Sequence, residues 1–325
     1  MKPFAHHNAR SIDEAVRLLT EYRGKAKLNA GGTDLLGLLK GGILPDYPAA
    51  IINMKTIAGL DFIKEGAAGL TIGALTNLAD IARSPVIKEK YPLLAEAARL
   101  VASPLIRNLA TIGGNLVQEV RCCYYRYAHQ IGGPVICRRK GGKTCNALAG
   151  DNRYHSLFGG VHGCVAVNPS DIGIALIALG ARIQTSQRTI EAQDFFPATA
   201  TSSTLLAVNE VVTEINIPLP PAGSRQHYRK FTLREPIDFA IVSVASVITL
   251  QGEICADARI ILGAVAPTPF RAGKAEEIIK GRPLNDVTAA EAAQAALLGA
   301  KPLSRNAYKV EIAQTLVKRA ILACS

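Results

Sequence analysis

The chain lacks tryptophan and has few aromatic residues, so its core has to be built from aliphatic side chains. Hydrophobic residues make up 49% of the 325 residues, but aromatic residues only 5%. No stretch approaches the roughly 20 apolar residues that span a bilayer, and the N-terminal residues lack the apolar core of a secretory signal. We therefore expect a globular cytoplasmic protein without a membrane partner, and export as a folded complex on a signal-bearing partner is the alternative.

Five of the seven cysteines are concentrated in one part of the chain, between Cys122 and Cys164. The spacing of Cys122, Cys137, Cys145 and Cys164 matches neither the paired C-x2-C of zinc ribbons nor the C-x2-C-x2-C run of ferredoxins. The spacing alone therefore leaves two interpretations open, a metal centre and free buried cysteines.

The net charge of +11 does not indicate nucleic-acid binding, because the basic residues are scattered and no helix-turn-helix, zinc-finger or RNP-like pattern is present. One segment is an exception. Residues 121–150 contain no Asp or Glu and six basic residues, namely Arg121, Arg126, Arg138, Arg139, Lys140 and Lys143. This segment is either a solvated loop or a positive surface that offsets a negative metal cluster or docks an acidic electron carrier.

The order of predicted elements divides the chain into three parts. A capped helix over 11–21, a strand at 26–29 and a helix at 35–40 indicate a small α/β unit that closes near residue 57. A Pro/Gly stretch at 218–223 marks the next boundary. We therefore predict domains at 1–57, 58–222 and 223–325, the last being α+β with a hairpin through residues 251–253.

Two glycine loops offer backbone donors for phosphate groups. The first, Ala30-Gly-Gly-Thr-Asp34, lies between a predicted strand and helix, where glycines let backbone N–H groups face an anion. The second, Thr111-Ile-Gly-Gly-Asn115, repeats the same chemistry. Neither is a Rossmann G-x-G-x-x-G fingerprint or a Walker A loop. Together they fit the two phosphates of a dinucleotide, and a plain turn is the alternative for the first loop.

Six motifs occur in an order that resembles one protein family. They are Ala30-Gly-Gly-Thr-Asp34, Ile72-Gly-Ala74, Arg107-Asn-Leu-Ala-Thr-Ile-Gly-Gly-Asn115, Pro169-Ser-Asp171, Tyr228-x-Lys-Phe231 and Gly263-Ala-Val-Ala-Pro-Thr-Pro269. Over essentially the whole chain they resemble the FAD-binding medium subunit of molybdenum hydroxylases, the xanthine dehydrogenase and carbon monoxide dehydrogenase family. The resemblance implies an α+β fold with a two-subdomain FAD-binding (PCMH-type) domain. It also implies a C-terminal α+β domain with a three-stranded antiparallel sheet and helices.

The resemblance also implies which residues hold FAD. The residues expected around the pyrophosphate are Asn29, Ala30, Gly31, Gly32, Thr33 and Asp34 from the first loop, and Arg107, Thr111, Ile112, Gly113, Gly114 and Asn115 from the second. Asp171 is expected near the adenosine ribose and Lys230 beside the isoalloxazine. The alternatives are a plain acidic residue at a helix N-terminus for Asp171 and an exposed strand lysine for Lys230.

An insertion at about 119–165 separates this chain from typical medium subunits. It resembles the insertion that carries an extra 4Fe–4S cluster in the flavin subunit of 4-hydroxybenzoyl-CoA reductase and, more closely, of periplasmic aldehyde oxidoreductases. The resemblance implies four cluster ligands, Cys122, Cys137, Cys145 and Cys164. Cys123 stays open as an alternative first ligand, whereas Cys255 and Cys324 are predicted to be packing residues.

The implied function is electron transfer rather than substrate conversion. The resemblance implies a large partner subunit with molybdopterin and a small one with 2Fe–2S clusters, while this chain holds FAD and 4Fe–4S. A one-electron carrier such as ferredoxin is the expected external partner, and the holoenzyme substrate would be an aromatic acyl-CoA, an aldehyde or an N-heterocycle. The alternative is a zinc-stabilised, basic nucleotide-binding module without redox activity.

Overall fold

Three β-sheets, each with its own hydrophobic core, organise the part of the protein that the structure describes. The structure is a computed structural model, and it describes residues 1–196, 199, 201–235 and 237–325. The strands are β1 (Ala5–Asn8), β2 (Ala26–Asn29), β3 (Ala50–Asn53), β4 (Ile63–Gly66), β5 (Gly69–Gly73), β6 (Arg182–Thr185), β7 (Thr189–Glu191), β8 (Val212–Pro218), β9 (Ser224–Phe231), β10 (Val242–Gln251), β11 (Ile254–Gly263) and β12 (Phe270–Arg271).

Twelve α-helices within these residues connect and cover the strands. They are α1 (Ile12–Glu21), α2 (Leu35–Gly41), α3 (Leu78–Arg83), α4 (Pro85–Lys90), α5 (Pro92–Arg99), α6 (Pro104–Arg107), α7 (Ile112–Leu116), α8 (Asn146–Ala149), α9 (Asp171–Ala178), α10 (Gly273–Ile279), α11 (Asp286–Ala296) and α12 (Tyr308–Leu322). None of the described helices is long and apolar enough to cross a membrane.

The first sheet is parallel, in the order β1-β3-β2. Parallel neighbours need a crossover, and α2 supplies it between β2 and β3. Helix α1 begins where Ser11 Oγ accepts a hydrogen bond from the Glu14 amide at 3.1 Å, as the capping pattern predicts. The sheet presents the C-terminal end of β2, and therefore the first glycine loop, at one edge.

The second sheet is antiparallel, in the order β4-β5-β8-β6-β7. Helices α3, α5 and α9 pack in its core, where Ile72, Leu94 and Ile174 are almost completely buried. The second glycine motif forms α7, between this sheet and α9. The insertion leaves the core after α7 and returns at α9, so both of its ends are fixed by buried elements.

The third sheet is antiparallel, in the order β12-β11-β10-β9. The three long strands and the hairpin at 251–253 confirm the prediction, and the two-residue β12 is a fourth strand that the sequence analysis did not include. Side chains of β10 alternate between two cores: Val244 faces α10–α12, and Ala245 faces the second sheet and α9. The C-terminal unit is therefore joined to the middle unit by a buried sheet face.

Candidate functional site

The first glycine loop presents a row of free backbone donors. It joins β2 to α2, and Gly32 has a left-handed φ of 70°. Among the residues that the structure describes, no backbone N–H group of residues 30–34 donates a hydrogen bond to the protein. The Asn29 Oδ1 atom beside the loop is buried without a partner. The free backbone N–H groups of residues 30–34 lie next to the N-terminus of α2, and such donors suit an anionic group such as a phosphate.

The second glycine motif lies directly against the first loop. A Cβ atom on Gly31 would lie 1.9 Å from the Leu109 carbonyl oxygen, and one on Gly113 would lie 2.9 Å from the Ala74 carbonyl oxygen. Only glycine permits these two backbone approaches. The two motifs, far apart in the sequence, therefore form one continuous surface.

The two motifs differ in their free donors. In the second motif, three consecutive amides are satisfied within the protein: Ile112 N–H donates to Thr76 O at 3.0 Å, Gly113 N–H to Ala74 O at 2.9 Å, and Gly114 N–H to Thr111 Oγ at 3.1 Å. Arg107 donates to the carbonyls of Val101 and Ala102, at 2.8 and 2.7 Å. The second motif is thus mainly a rigid support, and the first loop carries the unpaired amides.

Two further residues expected at the site, Asp171 and Lys230, lie at and beside the start of α9, where Ser170 contacts the second motif. The Ser170 hydroxyl donates to Asn115 Oδ1 at 2.7 Å and accepts from the Gly173 amide at 2.9 Å, which caps α9. Asp171 and Lys230 form an ion pair at 2.8 Å, with side chains 5% and 3% exposed. The resemblance implied the adenosine ribose as the neighbour of Asp171 and the isoalloxazine as the neighbour of Lys230, and in the structure the two side chains are bonded to each other.

Asp34, the last residue of the first loop, contacts the insertion. Its Oδ1 atom lies 2.9 Å from Arg121 Nη2 and 2.8 Å from Arg126 Nη2. Its Oδ2 atom accepts the Glu119 amide at 2.9 Å. Burial lowers the pKa of Arg121 to about 10, and Asp34 is the nearest opposing charge. Asp34 belongs to the predicted first loop, but the linear sequence carries no signal for its contact with these arginines.

Four cysteines of the insertion line one cavity, and they are the four named as ligands: Cys122, Cys137, Cys145 and Cys164. Cys123 is exposed and does not line it. Cys255 and Cys324 are buried in the C-terminal core, which confirms that they are packing residues. Across the described ranges, no three His, Cys, Asp or Glu side chains come together as closely as a single metal ion requires.

The six basic residues of the insertion fall into two groups. Arg121 and Arg126 pair with Asp34, and Arg139 pairs with Glu119 at 2.9 Å. Within the described part of the chain, the other three have no carboxylate partner, and these are Arg138, Lys140 and Lys143. Arg138 and the buried Arg139 both line the cysteine cavity. The insertion therefore presents positive charge at the cavity.

One contact to the first cysteine was not foreseen. His155, a residue of the insertion between Cys145 and Cys164, places Nε2 3.2 Å from Cys122 Sγ. Burial lowers the pKa of His155, and the Lys309 ammonium lowers it further. The spacing between residues 122 and 155 carries no signal for this contact, because loops fold the insertion back on itself.

Comparisons with known proteins agree with this geometry. Residues 2–220 match the family described as "FAD binding domain in molybdopterin dehydrogenase", and residues 226–324 match "CO dehydrogenase flavoprotein C-terminal domain". The chain is 33% identical to the aldehyde oxidoreductase FAD-binding subunit PaoB of Escherichia coli, over 97% of this chain and 96% of that protein.

A second relative supports the same assignment in sequence and in structure. The carbon monoxide dehydrogenase medium chain of Hydrogenophaga pseudoflava is 32% identical, over 98% of this chain and 96% of that one. A solved structure of carbon monoxide dehydrogenase from the same organism superposes with a TM-score of 0.78 at 30% identity, covering 100% of this chain and 98% of that chain. The chain therefore belongs to the FAD-binding subunits of the molybdenum hydroxylases, as part of an oxidoreductase.

Proposed function

We propose that this chain is an electron-transfer subunit that holds FAD on the first glycine loop and a 4Fe–4S cluster in the cysteine cavity. The observation that carries the FAD part is the row of free amides at residues 30–34, beside the rigid second motif. These amides would bind the pyrophosphate, with the other loop residues supporting them. FAD supplies the exchange between two-electron and one-electron steps. Asp171 and Lys230 would hold the wall behind the flavin through their ion pair.

The cluster part rests on the donor set. Four thiols converge on one cavity, iron–sulfur clusters take four cysteine thiolates, and positive side chains offset their charge. The cavity is small, about 10 Å³, so the thiols would have to move apart around a cluster. All four cysteines lie outside the helices and strands, in loops of the insertion. The alternative remains a single zinc ion, which would draw all four sulfurs to about 2.3 Å from the metal.

The cofactor content of the purified protein separates these possibilities. We expect one releasable FAD and about four irons and four sulfides per chain, the composition of one 4Fe–4S cluster. Cys164→Ala should abolish the cluster signal and leave FAD bound, whereas Cys123→Ala, its matched control, should keep both. One zinc per chain and no flavin would reject the proposal, and cluster loss in Cys123→Ala alone would reject the ligand assignment.

The proposed external partner is an acidic one-electron carrier such as ferredoxin. Arg138, Lys140 and Lys143 carry charge that no described carboxylate neutralises. Arg138 lines the cysteine cavity and donates a hydrogen bond to the Lys143 carbonyl at 2.7 Å, and Lys140 follows Cys137 by three residues. Complementary charge speeds the encounter of two proteins, and salt weakens this attraction.

Within the complex, a large molybdopterin subunit and a small 2Fe–2S subunit complete the proposed electron path. The proposed substrate classes of the holoenzyme are aromatic acyl-CoAs, aldehydes and N-heterocycles. The proposed location is the cytoplasm, or the outside of the cytoplasm after export as a folded complex.

Charge reversal tests the carrier surface. In the assembled enzyme, Lys143→Glu should lower the rate of electron exchange with ferredoxin at low ionic strength by roughly tenfold, with the difference shrinking in high salt. Lys274→Glu, an exposed lysine on α10, is the matched control and should leave the rate unchanged. Equal effects of both substitutions, or a rate independent of salt, would contradict this surface.

A further inference from the structure

The ion-pair junction of Asp34 with Arg121 and Arg126 connects the two proposed cofactor sites. Asp34 ends the loop with the free amides, and Arg121 immediately precedes Cys122. One carboxylate thus contacts both guanidinium groups at 2.8–2.9 Å and a backbone amide of the insertion at 2.9 Å. The three side chains are 18–26% exposed. Bonds this short and this sheltered from water hold their partners in fixed positions.

Arg126 makes the junction rigid on the cysteine side. Its Nε atom donates to the Val120 carbonyl at 2.8 Å and Nη2 donates to the Glu119 carbonyl at 2.9 Å. Arg126 therefore closes the backbone of residues 119–126 into a compact turn that contains Cys122. The Glu119 carboxylate in turn accepts two hydrogen bonds from Arg139, which lines the cavity. A movement of the cavity wall is thereby passed to Asp34 through bonded groups.

The charge balance also explains why an acid is placed beside a phosphate-binding loop. A free carboxylate there would repel a phosphate, since like charges at short distance are unfavourable. Paired with two guanidinium groups, Asp34 is part of a net positive unit. If the insertion moves away, the carboxylate loses its partners and faces the loop alone.

We propose that Asp34 is a positioning residue that couples the FAD site to the cysteine cavity. The inference rests on the proposed function. A cluster bound by the cysteines holds Arg121 and Arg126 against Asp34, which fixes the first loop in its binding shape and neutralises its acid. By thermodynamic linkage, FAD binding then strengthens cluster binding by the same factor.

The test measures the affinity of the whole chain for FAD. Bound FAD is first removed, and its rebinding is then followed by flavin fluorescence in wild type and Cys145→Ser, each with and without Asp34→Asn. Cluster-loaded wild type should bind FAD at least about fivefold more tightly than Cys145→Ser, which removes one ligand and thereby the cluster. In an Asp34→Asn background this ratio should fall to about one. Glu276→Gln, which breaks a partly buried pair with Arg271 at 3.0 Å in the C-terminal unit, is the matched control and should keep the wild-type ratio.

The outcomes separate the inference from the proposed function. A wild-type ratio of one, or an unchanged ratio in Asp34→Asn, would overturn the coupling while leaving both cofactors assigned. Absence of flavin or of iron from the wild type would overturn the proposed function itself. If Asp34→Asn does not fold, Arg126→Lys tests the same junction, because it keeps the charge but loses the forked hydrogen bonds. We expect a reduced ratio there too, and an unchanged one would count against the proposal.

Discussion

At the residue scale, close backbone contacts decide the shape of the FAD-binding surface. Gly31 has to be glycine because the Leu109 carbonyl occupies the space of a side chain. The sequence alone identifies Gly31 as part of a turn, but it does not show which backbone lies against it. That contact joins two motifs from different units of the chain, and only the folded structure contains it.

Replacement of Gly31 by alanine tests this contact. A Cβ atom 1.9 Å from a backbone oxygen forces the two motifs apart, so we expect Gly31→Ala to destabilise the fold by about 1–3 kcal/mol and to lower the FAD content. Urea unfolding and released flavin measure the two effects. Gly37→Ala in α2 is the control. Nothing lies within 4 Å of its Cβ position, so it should stabilise by about 0.5–1 kcal/mol. Normal flavin content in Gly31→Ala would refute the close approach.

Lys309 gives the stability of the protein a specific pH dependence. Its ammonium group donates to the carbonyls of His155 and Ala264, at 2.9 and 2.6 Å, and burial lowers its pKa to about 7. An unfolded lysine has a pKa of about 10.4. Between these values the unfolded state binds more protons, so stability should rise with pH across the window. Below about pH 7 both states are charged, and the slope vanishes.

The measurement compares urea unfolding of wild type and Lys309→Met at two pH values. From about pH 7.5 to 9.5, this lysine should add on the order of 2 kcal/mol to wild-type stability, and the methionine variant should lack that gain. Lys274→Met, at an exposed lysine of α10, is the control with a wild-type slope. Parallel stability curves for Lys309→Met and wild type would show that Lys309 is not titrating in this range.

At the element scale, the long periodic elements were predictable and the short ones around the site were not. The patterns predicted α1 and β2 to within one residue and located the turn of the β10–β11 hairpin, because amphipathic periodicity and capping act locally. The four- and five-residue helices α6 and α7 were not predicted, since so short a helix depends on tertiary contacts rather than on propensity. These two helices carry the second glycine motif.

The cap of α9 shows how an element positions the site. Ser170→Ala removes both the cap and the hydrogen bond to Asn115, so we expect a loss of about 1–2 kcal/mol and weaker FAD retention. Ser11→Ala removes a comparable cap from α1, remote from the site, and should cost about 1 kcal/mol without affecting FAD. Thermal unfolding and flavin release distinguish the two. Equal flavin loss in both variants would mean that α9 does not position the second motif.

At the scale of the whole molecule, the sequence by itself determined the family, the α+β fold class and the residues of the two glycine motifs. These follow from local periodicity and from side-chain types, which a linear pattern contains. The division at residues 57 and 222 stays a prediction, as do the FAD contacts and the cluster.

Only the tertiary structure decided how the parts work together. It brought four cysteines from distant positions to one cavity and excluded Cys123 from its lining. It paired Asp171 with Lys230, sorted the basic residues into paired and unpaired groups, and connected Asp34 to the insertion. The physical reason is that ion pairs and close backbone approaches depend on loop paths, which are set by packing of the whole chain and leave no periodic signal in the sequence.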